Sequence, residues 1–412
     1  MKSLALLAVA ACIAGCVGHP PVATSSPLAK GAATPHAQLS APPTPVPTGA
    51  VTSLSAVQLL NANTGYIAAW GGAGPPLART ADGGLTWQPL PVPVSHLTAL
   101  RFIDSNVGWV AGLIPRSMQG VACQQAPPDT SVAPCYGAVL RTEDGGTTWQ
   151  KSLLIPYNGT YGEPVVGIQA IDGEIAWALV LDCTPTTVLQ RPLGCPAHVR
   201  HTIDGGRSWT TPVSGYIVAI RFATAVRGWL ALINPDGSSD IDVTSDGGAT
   251  WTSHLRTTSG TVVGLDAANS LTAWVMTQDG AYCSASICDR YELLRTTDGG
   301  ITWSGLGNPK ATAAGCSGGN LVGPLFASPS RGWLAENQGA GGARVVTGLL
   351  STEDGGRTWR CVQRPANTYL VSAADPLHIW ITTNRLGDDA TSLFSSEDGG
   401  ASWREVSIPT PG

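Results

Sequence analysis

The sequence predicts an all-β protein, a seven-bladed β-propeller of four-stranded antiparallel blades, and three observations predict it. First, the phrase Asp-Gly-Gly, any residue, Thr or Ser, then Trp occurs seven times. Its Asp residues are Asp82, Asp144, Asp204, Asp246, Asp298, Asp354 and Asp398, and its Trp residues are Trp87, Trp149, Trp209, Trp251, Trp303, Trp359 and Trp403. Successive copies are 42 to 62 residues apart. Second, an apolar strand, a short polar turn and a small residue followed by Trp precede the copies, most clearly at Gly108-Trp109, Gly228-Trp229 and Gly332-Trp333. Looser versions end at Trp177, Trp274 and Trp380, and the first unit has Gly65-Tyr66. Third, only 12% of the 412 residues are charged, whereas Gly (50) and Trp (14) abound, a composition that suits an all-β repeat protein. Four short strands repeated every 40 to 50 residues or so, with insertions, read as a propeller blade. One blade cannot bury both of its faces, so a ring completes the core.

The strands follow in order. In the second unit they are expected at 97–102, 107–113, 137–141 and 147–154, with the repeated turn joining the third to the fourth. The stretch 51–60 is an innermost strand and 402–408 an outermost one, so each blade is continuous and none borrows a strand to close the ring. Insertions at 114–136, 182–198, 277–291 and 337–346 lie between second and third strands. Strand directions alternate, so these loops leave from the face opposite the repeated turns, as do the connections between blades. Variable loops on a rigid ring mark the expected binding face.

The N-terminus reads as a targeting segment. Lys2 is followed by an apolar run from Leu4 to Gly15, too short to span a bilayer as a mature helix. Its end, Ile13-Ala14-Gly15-Cys16, resembles the lipobox of bacterial lipoproteins, which implies cleavage before Cys16 and lipidation of that residue. Residues 1–15 are then a signal peptide, 16–50 a Pro-, Ala-, Ser- and Thr-rich tether, and 51–409 the propeller. The protein is expected on the extracytoplasmic side of the membrane, where disulfides persist. Eight Cys remain, which allow about 105 pairings. Proximity couples Cys123 with Cys135, Cys183 with Cys195 and Cys283 with Cys288, leaving Cys316 for Cys361. No His or second Cys stands at zinc-ligand spacing near a couple, so no metal site is expected.

Asp-Gly-Gly between apolar or β-branched runs is a hairpin signal. The carboxylate accepts backbone N–H groups ahead of it, Gly supplies positive φ, the Thr86 hydroxyl closes the turn, and the Trp folds beneath as a small local core. The seven Asp residues are therefore turn formers, their hydrogen-bonding capacity used locally. The pattern resembles the Asp-box, or bacterial neuraminidase repeat. Taken together, Leu100-Arg101-Phe102, Gly108-Trp109 and the run from Leu140 to Trp149 are similar to the photosystem II stability and assembly factor family of seven-bladed propellers. That resemblance implies a propeller without catalysis or cofactor that holds another protein. The lipobox, the tether and the Cys-stapled loops depart from the photosynthetic members. They favour a monomeric cell-surface protein that binds a protein or a surface glycan opposite the Asp-boxes.

The rival reading is a glycoside hydrolase, sialidase-like or xyloglucanase-like, because Asp-boxes also occur in sialidases. Arg101 and Arg221 occupy first-strand positions comparable to sialidase arginines, but neither is followed by the Ile-Pro of that family's Phe-Arg-Ile-Pro phrase. Their other reading is as polar residues lining the central channel. A hydrolase needs two carboxylates about 5–10 Å apart. The non-box acids on the loop-rich face are Asp129, Glu163, Asp182, Asp279, Asp289 and Glu336. Arg79, Arg141 and Arg295 directly precede three boxes, with Arg200 one place earlier, and form either a basic stripe or strand residues reaching solvent. Net charge is −5 and no basic run occurs, which removes the electrostatic footprint of a nucleic-acid binder.

Overall fold

A computed structural model of the chain describes residues 53–70, 76–94, 96–115, 135–157, 165–182, 195–257, 260–279, 283–284, 287–288, 290–313, 315–316, 319–337, 348–362, 368–384 and 391–408. Seven four-stranded antiparallel sheets follow one another, at 53–89, 96–157, 165–215, 217–257, 261–307, 320–362 and 368–406. We number them as blades 1 to 7. In each, strand order in space is strand order in sequence. Innermost strands touch in turn, and that of blade 7 (Thr368–Ala373) meets that of blade 1 (Ser53–Leu59), so the ring closes by packing with no exchanged strand. The signal, Cys16 and tether expectations lie outside the described residues.

Burial grades outward, and the sequence follows it. Strand 2 of blade 3 (Ala176–Leu181, AWALVL) is almost wholly buried, whereas strand 4 of blade 4 (Thr252–Thr257, TSHLRT) is mostly exposed. Strands covered on both faces read as continuous apolar runs. The buried apolar residues gather between blades. The cluster at the blade 1–2 seam joins Tyr66, Leu77 and Leu90 to Leu97, Phe102 and Leu140, and the blade 7–1 seam joins Trp380 and Leu393 to Val57, Ile67 and Trp87. This corrects the expectation of a core local to each Asp-box. The box Trp of blade 3 packs against the strand-2 Trp of the blade before it, Trp209 edge-on to Trp109 with ring centroids 6.2 Å apart, and Trp87 of blade 1 packs likewise against Trp380 of blade 7. In blades 2, 4 and 6 the box Trp instead meets the strand-1 Phe of its own blade edge-on, as Trp149 meets Phe102 at 6.2 Å.

Two seam types alternate through most of the ring. Where strand 1 ends in Phe, the preceding blade lays an aromatic ring flat upon it: Tyr66 on Phe102 at 3.6 Å, Trp177 on Phe222 at 3.7 Å and Trp274 on Phe326 at 3.5 Å. Each Phe faces a Gly across the ladder, Phe102 with Gly108 for example. A Cβ on Gly108 would lie 2.4 Å from the Phe102 ring, so the Gly of Gly-Trp is the space the Phe needs. Blade 3 pairs Ala170 with Ala176 at the same place.

The Asp-boxes repeat one hydrogen-bond scheme. In blade 2, Asp144 Oδ1 accepts the Thr142 hydroxyl at 2.8 Å and the Thr148 N–H at 2.8 Å, and Oδ2 accepts the Thr148 hydroxyl at 2.6 Å. Thr142 Oγ1 in turn accepts the Gly146 N–H at 2.9 Å. The first Gly of every box donates its N–H to a carbonyl of the turn between strands 1 and 2, from Gly83 to Asn63 at 2.7 Å through to Gly399 to Leu377 at 2.8 Å. Gly145 (φ 72°) and Gly146 (φ 94°) hold left-handed conformations that side chains rarely adopt.

This bonding sets an acid limit. The Thr148 hydroxyl and N–H hold the Asp144 carboxyl down at about 2, and equivalent donors hold Asp246 at about 2. At Asp354 burial pushes upward, but the Thr358 and Thr352 donors outweigh it, again to about 2. A carboxylate stabilised in the folded state contributes above its unfolded pKa of about 3.9 and ceases to as pH falls through the folded value. We therefore expect stability to be constant on this account above pH 4 or so and to fall between there and about 2. Asp246→Asn should shallow that slope in acid unfolding followed by Trp fluorescence, and an unchanged slope would refute the assignment.

Candidate functional site

The two faces of the ring are unlike. On the Asp-box face, turns are bonded to turns. On the other, the strand 2–3 loops and the blade connections emerge, while a level of side chains, all but one of them polar, lies at the Asp-box end of the innermost strands.

That level is built by one position on each innermost strand, the residue before its last: Gln58, Arg101, Gln169, Arg221, Asp266, Leu325 and Ser372, all buried. Gln58 accepts the Phe102 N–H at 2.7 Å and donates to the Phe102 carbonyl at 2.8 Å. Gln169 does the same toward blade 4, with the Phe222 N–H at 2.8 Å and the Ile220 carbonyl at 2.6 Å. Asp266 accepts the Phe326 N–H at 2.5 Å, and Ser372 accepts the Leu59 N–H at 2.9 Å across the closure. Arg221 meets Asp266 at 2.5 Å with both side chains almost fully buried. Burial pushes the Asp266 carboxyl up, with Arg221 and the Phe326 amide pulling against it. Arg101 points its Nε at the Ala170 carbonyl of blade 3 at 3.4 Å. The two arginines singled out as possible ligand contacts are thus engaged in joining blades, because their strand position faces the neighbouring backbone.

The arginines before the boxes also serve seams. Arg79, Arg141 and Arg295 lie over the rings of Tyr66, Trp109 and Trp274 at 5.9, 5.6 and 5.3 Å. Each reaches the next blade: Arg79 lies against the Gly145 turn, Arg141 approaches Glu174 to 3.4 Å, and Arg295 donates to the Pro329 carbonyl at 3.1 Å. They form neither a stripe for an acidic partner nor a solvated edge. Arg200, grouped with them by sequence, bonds Thr211 on its own outer strand, and His201 occupies the equivalent place, paired with Trp177.

Of the acids proposed for a hydrolase, Asp129, Glu163 and Asp289 lie outside the described residues. Asp182, Asp279 and Glu336 stand on blades 3, 5 and 6. Asp182 is exposed, its Oδ2 3.6 Å from His198 Nε2, and His198 Nδ1 lies 2.6 Å from Ser214 Oγ. Glu336 is fully buried and accepts the Gly319 N–H at 3.0 Å. The sequence reading missed an acidic group on blade 4. Asp236 meets Arg256 at 2.8 Å, Arg256 also faces Asp240 at 3.9 Å, and Asn234 donates to Asp240 at 2.9 Å. Burial, with the neighbouring Asp240, raises the Asp242 carboxyl against the pull of Ser253. The available signal was an Asn-Pro-Asp-Gly turn followed by alternating Asp240 and Asp242. Among the described residues, no three His, Cys, Asp or Glu side chains gather where they could hold a metal ion.

Cys316 and Cys361 form a disulfide with Cα atoms 5.4 Å apart, tying the connection before blade 6 to that blade's outer strand. Cys135 and Cys195 are also disulfide-bonded, while Cys123 and Cys183 lie outside the described residues. Cys283 and Cys288 face each other across a two-residue ribbon.

No family model and no curated protein matches the chain. Solved structures do. The structure of YCF48 bound to D1 peptide is 18% identical, with a TM-score of 0.53 over 86% of this chain and 93% of that one. The GH74 xyloglucanase from Xanthomonas campestris is 13% identical, with a TM-score of 0.57 over 87% of this chain but 54% of the enzyme, so the chain spans about half its length. The GH74 enzyme of Niastella koreensis is 12% identical, with a TM-score of 0.50 over 90% of this chain and 68% of that one. At these identities the likeness is one of fold, and the chain is a seven-bladed propeller similar in architecture both to a peptide-bound protein and to polysaccharide-cleaving enzymes.

Proposed function

We propose that this is an exported, lipid-anchored propeller that binds or assembles another protein at the cell surface, through the face opposite the Asp-boxes. The observation that carries the proposal is the asymmetry of the ring. The Asp-box face is occupied by turn-to-turn hydrogen bonds, whereas the insertions and their cysteines emerge on the other. Rigid scaffolds place recognition on such loops. The likeness of fold to YCF48 bound to D1 peptide supports a protein ligand.

The test is capture of envelope proteins by the tether-less ring. Asp236→Lys with Arg256→Glu, exposed on the loop-bearing face, should reduce capture, and Arg357→Glu beside an Asp-box should not. Equal losses from the two faces would overturn the proposal. Cys16→Ser should move the full chain from the membrane fraction to the soluble one. A second reading, glycan hydrolysis, is favoured by the raised Asp242 carboxyl, since a general acid needs such a group. Turnover of a xyloglucan fragment, abolished by Asp242→Asn, would establish it in place of the first.

A further inference from the structure

Every seam of the ring is tied on the Asp-box side by a side chain of one blade reaching the turns of the next. Six ties are guanidinium groups. Besides Arg79, Arg141 and Arg295, Arg227 donates to the Gly299 carbonyl at 3.5 Å, Arg331 lies over Trp333 and donates to the Gly399 carbonyl, and Arg404 donates to the Gly83 carbonyl at 2.8 Å. The seventh, between blades 3 and 4, is His201. Its ring lies flat on Trp177 with centroids 4.8 Å apart, Trp177 lies flat on Phe222 of blade 4, and the imidazole points at the Gly247 turn, its Cε1 3.6 Å from where a Cβ on Gly247 would stand.

A guanidinium stays charged at any pH the fold survives, whereas an imidazole changes charge near neutrality. We propose that the blade 3–4 seam is a pH-sensitive joint of the ring, at which protonation of His201 loosens the contact between the two blades. The neutral ring stacks on Trp177 with its Nε2 buried and without a hydrogen-bond partner. A proton there must be desolvated, and neighbouring charges are committed elsewhere. Arg200 and His198 on the same strand turn to Thr211 and Ser214. Asp204 holds Thr202 and Ser208, and Asp246 of blade 4 holds Thr244 and Thr250. Arg227 reaches blade 5, Glu174 faces Arg141 and Arg207, and strand 2 presents Trp177.

Burial lowers the His201 pKa. A base whose folded pKa is depressed leaves the unfolded chain holding more protons below about 6.5, so the seam is at full strength above that pH and weakens as pH falls toward the folded value.

Hydrogen exchange of the full chain at pH 7.5 and 5.5, corrected for intrinsic rates, tests this. Segments 197–202 and 244–252 should gain exchange severalfold over the equivalent segments of the Arg-tied blade 5–6 seam, 291–296 and 352–360. In His201→Arg the excess should vanish. His201→Gln, neutral at both pH values, should show the same exchange at both and serves if the Arg variant misfolds. Equal gains at all seams, or an excess that persists in His201→Gln, would overturn the proposal.

Discussion

Arg221→Leu is expected to destabilise the ring by about 3–5 kcal/mol, the range for a buried ion pair that loses one partner. The change leaves Asp266, 2% exposed, without the guanidinium that met it at 2.5 Å. The carboxylate keeps the Phe326 and Ala267 N–H groups, but two amides do not offset a charge held out of water. The informative control is the double variant Arg221→Leu with Asp266→Asn. An Asn carbonyl still accepts the Phe326 N–H, as the Gln58 and Gln169 carbonyls accept those of Phe102 and Phe222, and no charge is buried. We expect the double variant to lie within about 1.5 kcal/mol of the parent, because a buried pair is weakly favourable or neutral beside an uncharged replacement. Urea unfolding of the parent, both single variants and the double completes the cycle. A loss under about 1 kcal/mol for Arg221→Leu would show the pair to be solvated in solution.

That prediction rests on a contact hidden in the sequence, and the reason is general to the ring. Blade count, strand order and the two faces were legible because they are written locally. Thr80, Asp82, Gly84 and Thr86 bond among themselves within seven residues, so the pattern in sequence is the pattern in space. The seams are not local. Gln58 bonds Phe102, 44 residues on, and Ser372 bonds Leu59, 313 residues back. Nor is one residue type used: Gln, Asp and Ser each solve the same bridging task on strand 1, so no repeated letter announces it. The Arg ties show the same difficulty. Arg141 departs from strand 3, Arg331 from the turn before strand 2 and Arg404 from strand 4, yet all reach the following blade. Sequence grouped those that share a position and missed those that share a destination. The loop-bearing face was legible, and the Cys316–Cys361 pair as the couple left over once the nearer cysteines were matched, but the Asp236 and Asp242 group was not, because its blade carries no insertion to draw notice.

Trp274→Ala is expected to cost about 3–5 kcal/mol, as removing a large buried aromatic does. Trp274 is fully buried and carries three seam functions at once. Its ring stacks on Phe326 of blade 6 at 3.5 Å, its Nε1 donates to the Gly355 carbonyl of that blade's Asp-box at 2.9 Å, and Arg295 covers its outer side. Alanine leaves a cavity at the seam, frees the Gly355 carbonyl and removes the surface on which the Arg295 tie rests. Trp303, the box Trp of the same blade, is half-buried and bonds only its own turn, at Gly300 O, 3.2 Å away. Trp303→Ala should therefore cost less by at least about 1 kcal/mol, since less apolar area leaves the core. Each blade lacks a core of its own, so the loss should appear as a lower midpoint for the whole ring and not as early melting of one blade. Matched urea curves for the two variants decide it. Equal losses would mean that the box turn and the seam carry the same load, contrary to the packing of Trp274 against blade 6.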